Sequence, residues 1–168
     1  MSSSWPQPRL IFWVLLPSLL LLDQGSKHWI RSEFWVGQSR EIVPGFLNLT
    51  YVLNDGMAFG LFQGNNLLLG LIVLGILCVM LWWSRQLNWR SWEVNLVGAM
   101  ILSGALGNLT DRIRFGHVID FVDVYYRNFH WPVFNVADSC ISISMVWVLI
   151  RMWKQPAASE SDARTPRS

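Results

Sequence analysis

One stretch of this chain constrains its fold more than any other. The run LLLGLIVLGILCVMLWW at residues 67–83 contains no charged or amide side chain. A helix of about 20 apolar residues spans the hydrocarbon core of a bilayer, whereas a helix on a small soluble domain needs one polar face. The run therefore predicts a transmembrane helix over about residues 65–84.

The composition of the whole chain agrees with that prediction. Hydrophobic residues make up 52% of the 168 residues and charged residues 14%, against roughly 25% charged in an ordinary soluble domain. The formal net charge of +2 is too small for a phosphate-binding surface, so we expect no nucleic-acid partner. The two cysteines, Cys78 and Cys140, can form neither a disulfide framework nor a four-cysteine zinc site.

Three more apolar segments predict spans at about residues 10–31, 94–112 and 136–153. We interpret the first as a retained span rather than a signal peptide, because no small-residue cleavage site follows it. The predicted fold is an all-α integral membrane protein with four transmembrane helices in a single membrane domain, residues 1–154. Residues 155–168 are rich in Pro, Ala, Ser and charge, which predicts a disordered C-terminal tail.

Four spans place both termini on one side of the membrane. The segments on that side hold seven Lys and Arg residues and those on the opposite side hold six, so the count alone does not orient the chain. The seven lie in short, otherwise featureless segments, whereas the six are mixed with acids and motif-like residues. We therefore expect both termini in the cytoplasm.

Residues 33–62 follow the first span and contain two alternating segments, which Asn54-Asp55-Gly56 separates. Alternation of apolar and polar residues predicts strands, and this tripeptide predicts a tight turn. We expect a small extracytoplasmic β-hairpin or sheet between helices 1 and 2. Residues 111–134 form the second outer segment, with aromatic residues suited to the membrane interface.

Two helical stripes carry polar residues at membrane depth, where ionisable side chains are costly and often functional. Asp23 and Lys27 are four residues apart, the spacing of a salt bridge on one helix face. The second stripe repeats every three or four residues along the third span and comprises Gly104, Gly107, Asn108, Asp111 and Arg112. Close helix packing accounts for its glycines, while its arginine suits a substrate carbonyl or carboxylate.

Asp120 and Asp138 are the candidate catalytic residues. Apolar neighbours in the chain should raise the pKa of the Asp120 carboxyl, although a solvated loop acid is the simpler interpretation. Asp138 follows Asn135 by three residues at the start of the fourth span, a pattern typical of a helix capping box. Both acids lie near the outer interface, and two adjacent carboxyls that share a proton can activate water, as in an aspartic protease. This pairing predicts peptide-bond hydrolysis without a metal or a covalent intermediate.

Other functions stay open on the residues alone. A non-enzymatic four-helix membrane protein would use the same acids only for caps and ion pairs. A metal-dependent membrane protease would use His117, Asp120 and His130, with Asp123 nearby, but their spacing matches no strong metal signature. A transporter is disfavoured, since the chain has neither an inverted repeat nor a polar path across the membrane.

Five blocks of the sequence resemble the signature blocks of bacterial lipoprotein signal peptidase, also called signal peptidase II. In chain order they are Asp23-Gln24 with Lys27, Asn54-x-Gly56-x-Ala58-Phe59, Gly104-Ala105-Leu106-Gly107-Asn108-Leu109-x-Asp111-Arg112, Val118-Ile119-Asp120-Phe121, and Phe134-Asn135-x-Ala137-Asp138-Ser139. The sequence departs from the family at Met57, where Ala is usual, and at Ser103, where Gly is common. Met57 could reshape the pocket for the residue before the cleavage site or for the lipid.

The resemblance implies an aspartic endopeptidase of the bacterial cytoplasmic (inner) membrane, with its active site near the extracytoplasmic face. Such an enzyme would remove the signal peptide from diacylglyceryl-modified prolipoproteins by cleaving before the lipidated cysteine. The expected partners are these substrates, membrane lipid and globomycin-type inhibitors. We expect the enzyme to be a monomer without a metal or another cofactor.

Carried over residue by residue, the resemblance makes Asp120 and Asp138 the catalytic pair. It assigns substrate binding, or support of that pair, to Asn54, Gly56, Asn108, Arg112, Asn135 and Ala137. It assigns a structural role near the site to Asp23, Lys27, Gly104, Gly107 and Asp111.

Overall fold

Four α-helices and four β-strands make up the part of the chain that the computed structural model describes, residues 8–56 and 65–154. The helices are α1 (Leu10–Glu33), α2 (Asn66–Trp83), α3 (Trp92–Phe115) and α4 (Val136–Lys154). The strands are β1 (Ser39–Val43), β2 (Leu47–Asn54), β3 (Val118–Tyr126) and β4 (Phe129–His130). Three predictions lie outside the described residues: the second alternating segment at 57–62, the effect of Met57, and the disordered tail at 155–168.

Three of the described helices are long and apolar enough to cross a membrane. These are α1, α2 together with the 3₁₀ turn that follows it, and α4, with mean hydropathies of 1.3, 2.5 and 1.4. Helix α3 has 24 residues, but Asn95, Ser103, Asn108 and Asp111 lower its hydropathy, and all four are buried. Polar side chains thus concentrate inside the bundle, which is where a membrane protein places them.

Helix α3 packs against the other three helices, and two glycines permit the closest approaches. A Cβ atom at Gly104 would lie 2.5 Å from the carbonyl oxygen of Ala137 in α4. A Cβ atom at Gly107 would lie 2.5 Å from Oδ2 of Asp23 in α1. The small-residue face of α3 therefore packs as predicted, and it brings both neighbouring helices close to its polar residues.

The strands form one antiparallel sheet in the order β1-β2-β3-β4. At residues 54–56 the chain bends and the Gly56 N–H donates to Oδ1 of Asn54 at 3.0 Å, while the segment that would complete the expected turn lies outside the described residues. A further turn at residues 44–46, where Gly45 has a φ of +74°, divides the first alternating segment into β1 and β2.

A hairpin formed by β1 and β2 lies between α1 and α2 as expected, but the sheet extends beyond that segment. Two of its strands, β3 and β4, follow α3, and β3 pairs with β2 along most of its length. The reason is physical: pairing between distant segments gives β2 a partner on both edges, which the local alternation of residues cannot reveal.

A small apolar core joins the sheet to the helices. Ile30 at the end of α1 and Phe34 just after it pack with Tyr51 of β2 and with Ile119 and Phe121 of β3. This contact holds the sheet against the end of the bundle at which α1 and α3 finish and α4 begins.

Candidate active site

The start of α4 holds one of the two candidate acids. The backbone N–H of Asp138 donates to Oδ1 of Asn135 at 2.9 Å, and the backbone N–H of Asn135 donates to Oδ2 of Asp138 at 3.2 Å. The predicted capping box is therefore present. It fixes the Asp138 carboxyl against the first turn of the helix and leaves Oδ1 for another donor.

Asp120 lies on β3, and its side chain is buried. Nδ2 of Asn54 donates to Oδ2 of Asp120 at 2.8 Å. Val52 is opposite Asp120 in the strand register, so Asn54, two residues further along β2, lies diagonally across on the same face. The pairing of β2 with β3 therefore brings Asn54 to the acid.

Asn135 and Asn108 connect the two acids. Nδ2 of Asn135 donates to Oδ1 of Asp120 at 2.6 Å, while the backbone N–H of Asn135 bonds to Asp138. Nδ2 of Asn108 in α3 donates to Oδ1 of Asp138 at 2.7 Å, and Oδ1 of Asn108 accepts from Nδ2 of Asn135 at 3.1 Å. Two carboxyls from separate elements thus share one pair of amide side chains.

The environment of Asp120 favours its protonated form. Burial raises the pKa of Asp120 to about 7, and the neighbouring charge of Asp138 acts in the same direction. Hydrogen bonds from Asn54 and Asn135 and the charge of Lys27 oppose this pKa shift without cancelling it. At neutral pH the two carboxyls can therefore hold one proton between them, as general acid–base catalysis by such a pair requires.

Arg112 lies beside the acids near the end of α3. Its Nη2 donates to the carbonyl oxygen of Gly56 at 3.1 Å, and its Nη1 donates to the carbonyl oxygen of Asn108 at 3.4 Å. Nε of Arg112 is buried and has no hydrogen-bond partner among the described residues. A buried donor without a partner is uncommon, and here it suits a carbonyl group of a bound peptide.

Behind the acids, a buried ion cluster joins α1 to α3. Nζ of Lys27 lies 2.9 Å from Oδ2 of Asp23 and 2.8 Å from Oδ2 of Asp111. The predicted pair of Asp23 with Lys27 is therefore formed, and Asp111 adds a second carboxylate. Lys27 also donates to Oδ1 of Asn108 at 2.9 Å, so the cluster contacts the amide that holds Asp138.

Two more contacts connect this cluster to its surroundings. The backbone N–H of Ala137 donates to Oδ1 of Asp23 at 2.9 Å, which links α1 to the first turn of α4. Nε2 of Gln24 lies 3.0 Å from Oδ1 of Asp111 and 3.2 Å from the carbonyl oxygen of Gly107. The site predictions omit Gln24; its only signal in the sequence is its place after Asp23 in the first of the five blocks.

The residues of the alternative metal site do not come together. Nδ1 of His130 lies 2.8 Å from Oδ1 of Asp123, while Asp120 binds asparagines and the ring of His117 stacks on an aromatic neighbour. Within residues 8–56 and 65–154, no group of three or more His, Cys, Asp or Glu side chains is placed to hold a metal ion. The ligand set predicted for a metal protease is therefore wrong, because the sheet gives its members different partners.

Comparison with known sequences identifies close relatives. A family model described as signal peptidase (SPase) II matches residues 15–154. A lipoprotein signal peptidase of Syntrophus aciditrophicus (strain SB) is 40% identical over 154 residues, which cover 87% of this chain and 94% of that protein. A lipoprotein signal peptidase of Blochmanniella pennsylvanica (strain BPEN) is 40% identical over 147 residues, which cover 84% of this chain and 88% of that protein.

Solved structures share the fold. One bacterial membrane enzyme, determined by the in meso method at 2.3 Å resolution, superposes with a TM-score of 0.82 at 25% identity and covers 98% of each chain. A second, determined at 1.9 Å, superposes with a TM-score of 0.79 at 27% identity and covers 91% of this chain and 99% of its own. These matches show that the chain is a membrane protein that belongs to the signal peptidase (SPase) II family of proteases.

Proposed function

We propose that this protein is a membrane-embedded aspartic endopeptidase that removes the signal peptide from diacylglyceryl-modified prolipoproteins and cleaves before the lipidated cysteine. One observation carries the aspartic mechanism: Asn135 donates from its side chain to Asp120 and from its backbone to Asp138. A single residue thus holds both carboxyls at one site, as a pair that shares a proton requires. Membership of the family supports the prolipoprotein substrate.

In the proposed reaction, a water molecule adds to the carbonyl carbon of the scissile peptide bond. The ionised carboxyl of the pair takes a proton from that water as its oxygen attacks, and the protonated carboxyl gives its proton to the carbonyl oxygen. Collapse of the tetrahedral diol breaks the C–N bond: the departing nitrogen takes the proton that the first carboxyl accepted from water, and a diol hydroxyl returns a proton to the second carboxyl, which restores the starting state of the pair. Asp120 and Asp138 together supply both roles, since a coupled pair titrates jointly.

The surrounding side chains position the peptide and the acids. Arg112 has one buried donor free for a substrate carbonyl, and its contact with Gly56 keeps the end of β2 beside the acids. Asn54, Asn108 and Asn135 hold the carboxyls through the hydrogen bonds given above. Ala137, Gly104 and Gly107 allow α1, α3 and α4 to approach closely enough for those bonds to form.

We infer that α3 is a fourth span and that residues 1–154 form a single, monomeric membrane domain in the bacterial inner membrane. The acids lie at the end of the bundle where α1 finishes, so cytoplasmic termini would place them near the extracytoplasmic face. There they would meet prolipoprotein and membrane lipid, and globomycin-type inhibitors would compete for the same site. A reporter that is active only in the cytoplasm, fused after residue 168, tests this orientation.

The function is tested with a purified diacylglyceryl prolipoprotein and the variants Asp120→Asn and Asp138→Asn. Each variant should lose at least about 100-fold in turnover, the contribution expected of general acid–base catalysis. Asp123→Asn is the matched control, because it changes the same residue type on the same strand away from the pair. Near-normal turnover by Asp120→Asn or Asp138→Asn would exclude the aspartic mechanism, and no cleavage by the wild type would favour a non-enzymatic membrane protein.

A further inference from the structure

Lys27 is buried beside the acids, yet the reaction proposed above gives it no step. Its side chain is 2% exposed, and its ammonium group makes three contacts: with Asp23, with Asp111 and with Oδ1 of Asn108. An ammonium group has three donors and no acceptor, so these contacts use its full capacity. The two carboxylates account for the burial of the charge, but they do not explain the third contact.

The third contact determines which way the Asn108 amide points. The two ends of an asparagine amide are alike in shape, and only the hydrogen-bond network distinguishes its oxygen from its nitrogen. Because an ammonium group can only donate, the oxygen of Asn108 must face Lys27. The nitrogen must then face Asp138, and it donates to Oδ1 of that residue at 2.7 Å.

The same oxygen also orients Asn135. Oδ1 of Asn108 accepts from Nδ2 of Asn135 at 3.1 Å, which turns the amide nitrogen of Asn135 toward Asp120 as well. The amide oxygen of Asn135 is then left to accept the backbone N–H of Asp138 at 2.9 Å. Both amides therefore present N–H groups to the acids, and the hydrogen bond from Lys27 to Asn108 fixes the orientation of both.

We propose that Lys27 is a positioning residue that orients Asn108 and Asn135, so that each acid of the catalytic pair receives one amide N–H on its Oδ1 atom. This inference rests on the proposed function of Asp120 and Asp138. With Asn108 reversed, its oxygen would face the Asp138 carboxyl and its nitrogen would face an ammonium group. Both charge-assisted hydrogen bonds would be lost, and they are the stronger kind.

Lys27 also acts on the acids through its charge. Among the residues that the structure describes, four charged groups surround the pair of Asp120 on β3 and Asp138 on α4: Asp23 and Lys27 on α1, and Asp111 and Arg112 on α3; β2 contributes only the uncharged Asn54. Within this set, the positive charge of Lys27 lowers the pKa of Asp120 against the larger effect of burial. Its removal should therefore raise the pH at which the pair loses its shared proton.

The test compares Lys27→Met/Asp111→Asn with Asp111→Asn alone. The double variant removes one positive and one negative charge, so the net charge of the cluster equals that of the wild type. Relative to Asp111→Asn, we expect kcat to fall about 100-fold with little change in KM, the size of effect known for small misplacements of reacting groups. The alkaline limb of the pH profile should also move to higher pH.

A purely structural role would give a different result. If the folded double variant and Asp111→Asn share the same kcat and the same pH profile, Lys27 only stabilises the bundle and the inference is wrong. If the methionine variant does not fold, Lys27→Gln/Asp111→Asn replaces it in the test. The glutamine amide can face Asn108 with either end, so this variant should show the same loss of kcat. Absence of cleavage by the wild type would instead refute the proposed function itself.

Discussion

Strand β3 carries two buried aspartates three residues apart, and their pKa values are shifted in opposite directions from that of an ordinary aspartate. Both have little contact with solvent, since Asp120 is 1% exposed and Asp123 is 5% exposed, but Asp120 lies much deeper among protein atoms. The pKa of Asp120 is raised to about 7, whereas the pKa of Asp123 is lowered from its ordinary value. The depth of each carboxyl and its neighbours on the two faces of the strand together account for the difference.

Asp123 is surrounded by donors. Burial raises the pKa of Asp123, but hydrogen bonds from His130, Asn48 and Thr50 outweigh that effect. Asn48 is directly opposite in the strand register and donates from Nδ2 at 3.2 Å, and Oγ1 of Thr50 donates at 3.1 Å. All these groups favour the ionised carboxylate, so Asp123 is a stable structural anion of the sheet.

Asp120 lies on the opposite face of β3, because residues three apart on a strand alternate. It has asparagine donors too, but the carboxyl of Asp138 also acts on it and favours its protonated form. Deep burial, assisted by a second acid, thus allows a carboxyl of this strand to hold a proton at neutral pH.

The largest effect on turnover is expected for Asn135→Ala. This change removes both the hydrogen bond from the Asn135 amide to Asp120 and the cap on α4, so turnover should fall about 100-fold or more. Asn48→Ala is the matched control, since it removes an amide from Asp123. Steady-state cleavage rates of the two variants are compared, and equal losses of turnover would show that the two acids do not differ in function.

A smaller effect, on stability, is expected for Gly107→Ala. The added methyl group would lie 2.5 Å from Oδ2 of Asp23, so α1 and α3 must move apart behind Asp120, at a cost of about 1–3 kcal/mol. Gly75→Ala on α2 is the control, because its Cβ atom would meet nothing within 4 Å. Thermal unfolding in detergent measures both, and similar unfolding temperatures would contradict the close packing described here.

The pH profile of cleavage tests the raised pKa of Asp120 directly. Because the pKa of Asp120 is about 7, the proton that the pair shares should be lost above that pH, and kcat should fall about tenfold per pH unit. Asp123→Asn should keep the same alkaline limb. Cleavage that stays constant well above pH 7 would mean that this proton is not needed.

The pH dependence of stability should have opposite signs for the two acids. The raised pKa of Asp120 means that the folded protein binds a proton which the unfolded chain releases near pH 4, so stability falls by up to about 1.4 kcal/mol per pH unit as the pH rises toward 7. The lowered pKa of Asp123 gives stability that is present above its unfolded value and is lost as the pH falls below it.

Unfolding measured across this pH range in Asp120→Asn and Asp123→Asn separates the two contributions. Asp120→Asn should remove the decline toward pH 7, and Asp123→Asn should remove part of the loss in acid. Indistinguishable curves for the two variants would remove the basis of the comparison.

The parts of the site that the sequence predicts correctly are local. The pair of Asp23 with Lys27 and the reciprocal cap between Asn135 and Asp138 depend only on the three- and four-residue spacing of a helix. That geometry is the same wherever a helix forms. A single segment of sequence is therefore sufficient to predict both contacts.

The contacts that complete the site are long-range. Asn54 reaches Asp120 across 66 residues because β2 pairs with β3, in a register that shifts between Leu49 and Val52. Asp111 reaches Lys27 because the close approach at Gly107 brings α1 against α3. No local pattern encodes either event, which is also why the sheet was assigned to one segment instead of two.

The amino-acid sequence is sufficient to predict that this chain resides in a membrane, because the hydropathy of a helix is a sum over neighbouring residues. It also identified the acids worth attention, since charge at membrane depth is costly wherever it occurs. The tertiary structure places Asp120 near Asp138, through their shared partner Asn135, and places Asp123 among hydrogen-bond donors. The acidity of a carboxyl depends on charges and hydrogen bonds within a few ångströms, and those neighbours come from strands and helices far apart in the chain.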